Sequence, residues 1–407
     1  MASGSPSETP SGSVEESHEK PTVVTLLGGP GGVSLASAAN YHEIHQMHSI
    51  DWETMWQIDP AAVQNEIEQI WERHVANKTT GVFSRHDNFG TPLDFSMTGG
   101  AFIHAFAFLH TKLGGTVWLD RAKLLMNRHW NYRNSTTNLI PEAPAASGES
   151  INRWDGHHFT TAAAGLHTHG LFKAYELTGD TDFRDRALAY LEAYATYGYD
   201  AVGEALYGML ELDGDPVTGS RPASGYSACQ PRGHLDLWQP YVAGYEMPMY
   251  AAMAFAYGHK VTGDANLLLA ARRFATFIEN NLPAGPALTN TVYGTCSTNY
   301  APYGPYAAHY GQLVSFFLNL YMLTGEQPHL DRATEQADEA IARLEHKGLF
   351  RGHPAKPYYE NVDGVGFLLY ALMQLDAVLE DPAAAVSTGT LEAGSGATAV
   401  PIDLDNW

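Results

Sequence analysis

The chain has 407 residues, 44% of them apolar and 17% charged, with a formal charge of −22 and a mean hydropathy of −0.23. That apolar fraction supplies a large core and excludes a disordered chain, and no run of 18 apolar residues offers a membrane-spanning helix. The acidic field argues against nucleic acid or an anionic membrane as the main partner.

The first twenty residues are rich in Ser, Glu, Pro and Gly, a composition that predicts disorder. Residues 21–39 are mildly apolar and end in small residues, but Gly28-Gly29-Pro30-Gly31-Gly32 interrupts them. Residues 1–40 therefore read as a flexible leader or a processed segment, consistent with a secreted or periplasmic protein. His42, His45 and His48 follow at intervals of three and would share one helical face.

From there two kinds of helix alternate. Helices apolar nearly all round are predicted over 97–112, 159–176, 243–260, 308–322 and 364–379. Amphipathic helices are predicted over 61–76, 118–130, 183–197, 266–282 and 329–347. Four of the apolar helices end in a tight turn: Leu113-Gly114-Gly115-Thr116, Leu177-Thr178-Gly179-Asp180, Val261-Thr262-Gly263-Asp264 and Leu323-Thr324-Gly325-Glu326. Gly supplies the left-handed position, and the Thr or Asp after it is expected to cap the next helix. The pairs recur at roughly 60–85 residues, longer than the 34–47 of helical solenoids. The expected fold is all-α, an α/α toroid of about six to seven hairpins, with one domain over 41–385 and a tail over 386–407.

The connections from inner to outer helices are short, whereas those from outer to inner helices are long and all emerge at one end of such a toroid. They are dense in His, Tyr, Trp, Arg and Asn, and long loops of this kind in a compact domain are usually functional. The first carries Arg85 and His86. The second carries Arg153, Trp154, Asp155, His157 and His158. The third carries Arg232, His234, Trp238, Gln239, Tyr241 and Glu246. The fourth carries Asn299, Tyr300, Tyr303, Tyr306 and His309, and the fifth Arg351, His353, Lys356, Tyr358 and Asp363. Aromatic faces with polar edges suit sugar rings, and one long cleft suits a polysaccharide.

Two chemistries use these residue types. The first is β-elimination on a uronic-acid polymer, which needs a carboxylate neutraliser, a base and an acid. Asn299, Tyr300, Tyr306 and His309 form the best group for it, because spacings of three from Tyr303 to His309 share a helical face. The second is hydrolysis, by a glycoside hydrolase with paired carboxylates or by an unsaturated uronyl hydrolase, for which Asp155 and Glu246 are the candidates, while Asp94 and Asp363 read as helix caps. A sugar epimerase and a non-catalytic carbohydrate-binding toroid are further options. His167 and His169 are two apart and point to different helical faces, so neither a metal nor any other cofactor is expected. Cys229 and Cys296 form neither a disulfide framework nor a redox pair by spacing.

Residues 55–380 resemble the α/α-toroid polysaccharide lyases, most of all the single-domain alginate/glucuronan lyases of polysaccharide lyase family 38. The resemblance implies cleavage of a β-1,4-linked uronan by β-elimination, an acidic polysaccharide being the partner. It implies a catalytic Tyr, led here by Tyr300 and Tyr306, with His234 as partner base and His309 beside them. Arg232, Glu246 and Asn299 would neutralise the substrate carboxylate. Arg85, His86, Arg153, Trp154, His158, Trp238, Gln239, Tyr241, Arg351, His353, Lys356 and Tyr358 would bind the sugar chain.

Overall fold

The computed structural model describes residues 52–84, 94–144, 158–220, 232–235, 237, 248–282, 305–356, 359 and 364–388. His42, His45, His48, Cys229 and Cys296 lie outside them. Helices α1 (Trp52–Ile58) and α2 (Pro60–His74) lead into α3 (Ser96–Leu113) and α4 (Val117–Trp130). Then come α5 (Thr168–Thr178) and α6 (Thr181–Tyr197), α7 (Pro248–Thr262) and α8 (Ala265–Asn280), α9 (Ala307–Thr324) and α10 (Gln327–Leu344), and finally α11 (Val365–Glu380) and α12 (Pro382–Thr388). Three short antiparallel strand pairs sit in the connections: β1 (His158–Thr160) with β4 (Met209–Glu211), β2 (Tyr199–Asp200) with β3 (Ala205–Leu206), and β5 (Glu345–His346) with β6 (Leu349–Phe350).

The alternation read from the sequence is the architecture. Helices α3, α5, α7, α9 and α11 touch one another in chain order, and α4, α6, α8 and α10 pack behind the inner helices that precede them. This is an α/α toroid, with five inner helices among the described residues. Inner helices are buried nearly all round: α9 hides Tyr310 to Met322 without a break. Outer helices bury a single stripe, as α8 does with Leu267, Ala270, Ala271, Phe274 and Ile278.

The glycine turns form, with Gly114, Gly179, Gly263 and Gly325 all at φ near +70°; Gly179 and Gly325 are left-handed as expected, whereas Gly114 takes ψ −167° and leaves that region. The caps after them divide. Asp180 and Asp264 accept N–H bonds from Asp182 and Asn266, at 3.1 and 2.8 Å. Thr116 and Glu326 make no side-chain cap. The cap position of α3 falls on Phe95, and the Asp94 carboxylate one residue before it binds the guanidinium of Arg128 at 2.7 Å, with both side chains buried. Removing one partner of such a pair strands the other, at a cost of about 3–5 kcal/mol.

The helix predicted over 159–176 has a different start. Its first residues pair as a strand, Phe159 opposite Leu210 and Thr160 opposite Met209. Neighbouring Thr160 and Thr161 favour that extended form. Residues Ala163–His167 then make one wide π-helical turn before α5 begins. The Thr168 hydroxyl bonds back to the carbonyls of Ala164 and Gly165, competing with the regular ladder there.

Glycine sets how closely the inner helices pack. A Cβ on Gly100 would lie 2.6 Å from the Leu166 carbonyl oxygen, and one on Gly170 would overlap the backbone of Gly100. Gly165 faces Tyr250 of α7 in the same way, and Gly311 faces Leu368 of α11. Gly100→Ala is expected to destabilise the protein by about 3 kcal/mol, the upper end of ordinary overpacking, measured by denaturant unfolding.

On α2, Glu66 is fully buried among Val63, Ile67 and Ile70, and neither carboxyl oxygen has a hydrogen-bond partner. Burial raises its pKa to about 8, against a smaller opposing pull from Arg73. The folded state therefore holds a proton that the unfolded state has lost, and stability falls as pH rises from about 4.5 to 8. Glu66→Gln is expected to raise Tm at pH 6 and to raise it further at pH 9, at about 1–2 °C per kcal/mol for a domain of this size, measured by calorimetry.

Candidate active site

The inner helices run parallel, so their N-termini and the connections that feed them share one end of the toroid. Tyr306 precedes α9 in an extended conformation, and its N–H donates to His309 Nδ1 at 2.9 Å. The next N–H, of Ala307, donates to the Gly352 carbonyl at 2.8 Å and draws the 351–356 turn onto the start of α9. The His353 ring then lies 4.7 Å from that of Tyr306, and Lys356 Nζ stands 5.4 Å from the Tyr306 ring centre. Tyr306, His309, His353 and Lys356, chosen from two separate loops of the sequence, therefore meet.

The backbone decides what the two imidazoles offer. His353 Nδ1 accepts the Ala355 N–H at 3.0 Å, as His309 Nδ1 accepts that of Tyr306. In the neutral form both rings carry their proton on Nε2 and present a donor. His309 is held neutral: burial, then the adjacent His353, lower its pKa to about 4. Arg351 anchors the base of the turn, its guanidinium donating to the Arg343 carbonyl at 3.3 Å.

Two other groups of expected residues stand on the strand pairs. His158 lies opposite Glu211 across β1 and β4, and His158 Nε2 meets Glu211 Oε1 at 3.2 Å. The pair lines an open cavity of about 470 Å³ with Leu212 and Asp213. His234 meets Asp200 at 3.0 Å and lies against the Tyr207 ring at 4.9 Å, with Arg232 two residues before it. The N–H groups of Gly203 and Val202, and then His234, lower the Asp200 pKa. The contacts described for His234 thus belong to Asp200 and Tyr207 rather than to Tyr306.

The remaining expected residues, Arg85, His86, Arg153, Trp154, Asp155, Trp238, Gln239, Tyr241, Glu246, Asn299, Tyr300, Tyr358 and Asp363, lie outside the described residues. Sequence reasoning passed over Glu142, which is buried at the start of α3 and accepts the hydroxyls of Ser96 and Thr160 at 2.8 and 2.7 Å. Its signal was a lone carboxylate in the otherwise apolar stretch 139–144. Glu211, Asp200 and Tyr207 were passed over too, because their partners come from distant segments. Among the described residues no three His, Cys, Asp or Glu side chains converge as a metal site.

No protein-family model and no curated protein sequence matches the chain. Its fold is similar to that of cellobiose 2-epimerase from Bacillus thermoamylovorans, at 13% identity over 79% of this chain and 84% of that one, with a TM-score of 0.52. It is also similar to a D-mannose isomerase, at 12% identity over 79% and 83% and a TM-score of 0.53. A GH76 α-mannanase from Bacteroides thetaiotaomicron aligns at 12% identity over 81% and 83%, with a TM-score of 0.50. At these identities the likeness shows the α/α toroid. No described helix is long and apolar enough to cross a membrane.

An imidazole titrating near 4 stays neutral across the usual range. The His309 ring is expected to show no protonation between pH 8 and about 5.5 in a histidine NMR titration. Because its folded pKa lies below the ordinary value of about 6.5, it contributes a loss of stability as pH falls from 6.5 toward 4.

Proposed function

We propose that the protein is a carbohydrate-active enzyme, and that it cleaves a uronic-acid polymer such as alginate or glucuronan by β-elimination. The observation that carries this reading is the meeting of Tyr306, His309, His353 and Lys356 at the loop-bearing end of the toroid. The epimerase, isomerase and mannanase whose fold it shares support the broader class, since each is named for action on a sugar.

In this reading the Lys356 ammonium and the His353 Nε2–H face the substrate carboxylate and take up the charge that develops at C5. Tyr306, as its phenolate, removes the C5 proton. The electron pair forms the C4–C5 double bond as the bond from C4 to the glycosidic oxygen breaks. The proton that Tyr306 has taken from C5 passes to the leaving oxygen, while the neutral His309 donates a hydrogen bond to that oxygen from Nε2. The two imidazoles suit a donor role better than the paired bases of a sugar epimerase, because each Nδ1 is already occupied by a backbone N–H. Tyr300, Asn299, Arg232 and Glu246 are proposed to complete the site, with Arg85, His86, Arg153, Trp154, His158, Trp238, Gln239, Tyr241, Arg351 and Tyr358 along the cleft. The whole-chain charge of −22 limits long-range attraction, so capture of a polyanion rests on these local cations.

The test is a panel of uronans followed by ultraviolet absorbance. The expected result is growth of the band of an unsaturated uronide, with Tyr306→Phe lowering kcat by about 10²–10⁴-fold. Release of reducing sugar without that band would replace the reading with hydrolysis by Asp155 or Glu246. Sugar binding with no turnover over the whole panel would replace it with a binding toroid.

A further inference from the structure

Beneath the start of α3, two buried imidazoles lie with their rings 4.8 Å apart: His129 from the end of α4 and His167 from the π-helical turn. Tyr190 of α6 continues the row, its ring 5.6 Å from that of His167 and tilted by 43°. All three side chains are fully buried, and Phe83 and Trp130 wall them with apolar surface. His129 Nδ1, His167 Nε2 and the Tyr190 hydroxyl have no hydrogen-bond partner within the protein. Native interiors leave few such atoms, and three in one row call for a ligand.

The tautomers say which ligand. His129 Nε2 donates to the Asp94 carbonyl at 3.0 Å, and His167 Nδ1 donates to the Ser96 carbonyl at 2.8 Å. The protons of the neutral rings are thereby fixed on those atoms, and the other nitrogen of each ring keeps a bare, buried lone pair. Burial lowers both pKa values, that of His167 to about 4, so neither ring gains a second proton near neutrality. The cluster thus offers two acceptors, and the Tyr190 hydroxyl adds one donor. Arg128 beside His129 is neutralised by Asp94, and the half-buried Arg186 and Arg133 lie near Tyr190. Two bare imidazole lone pairs repel an anion, and two nitrogens with one neutral hydroxyl fall short of the three or four ligands a metal needs.

We propose that His129 Nδ1, His167 Nε2 and the Tyr190 hydroxyl bind one internal water molecule, which donates to both imidazoles and accepts from the tyrosine. Three hydrogen bonds are the usual complement of a buried water, and two acceptor nitrogens with one hydroxyl donor on adjoining rings supply that number. The water joins the end of α4, the π-helical turn and α6, and so braces the start of α3 from behind. The site is independent of the chemistry proposed for Tyr306.

A diffraction structure of the full chain that resolves ordered solvent tests it, together with Tyr190→Phe, which keeps the ring and removes the donor. The expected result is a single solvent peak within hydrogen-bond distance of all three atoms, and a Tm lowered by a few degrees in Tyr190→Phe. A dry cluster, or a bound metal found by elemental analysis, would overturn the proposal. So would an unchanged or raised Tm, since deleting a hydroxyl that had no partner relieves a buried polar group and costs nothing.

Discussion

The inner helices meet backbone to backbone, and the rest of the molecule is arranged around those crossings. Gly100 lets α3 settle on the π-helical turn and α5, Gly165 admits Tyr250 of α7, and Gly311 admits Leu368 of α11. With these contacts made, inner-helix aromatics fill the space toward the outer layer: Phe106 meets Trp71 and Trp118, and Phe255 meets Tyr194 and Phe274. A tight ring brings its helix N-termini together at one end. The loops that feed them then compete for little space and hold one another in place, as the Ala307 to Gly352 hydrogen bond illustrates.

The fold was legible because its signals are local. A left-handed glycine after an apolar helix, followed by a charged amphipathic stretch, identifies a hairpin whatever surrounds it. The start of the 159–176 helix was not legible, because its strand pairing depends on residues 209–211, half a hairpin away in sequence. Asp94 is the same case. In the sequence it reads as a helix cap, and only the arrival of Arg128 from the end of α4 makes it half of a buried ion pair.

The site was legible in part, for a related reason. Tyr306 and His309 stand three apart, so their association follows from helical spacing alone. His353 and Lys356 could be named as sugar-binding types, but their place against Tyr306 comes from the 351–356 turn docking on α9. Glu211 and Asp200 carry no sequence pattern, and Glu142 only that of a lone carboxylate among apolar neighbours. Each acquires meaning from a partner on another segment: Ser96 and Thr160, His158, and His234. The fold likeness to an epimerase, an isomerase and a mannanase points the same way, since one scaffold carries different chemistries and the loops must supply the difference.

Histidine shows how the backbone turns one residue type to opposite uses in this fold. At the mouth of the toroid the rings of His309 and His353 meet backbone N–H groups, so Nδ1 is an acceptor and Nε2 keeps the proton. Behind α3 the rings of His129 and His167 meet backbone carbonyls, so the proton is drawn to the bonded nitrogen and a lone pair is left inside. Burial keeps His309, His129 and His167 uncharged, and their roles are then set by which peptide group each one finds. Helix starts expose N–H groups and the residues just before them expose carbonyls. The peptide group that each ring meets therefore selects whether its other nitrogen presents a proton or a lone pair.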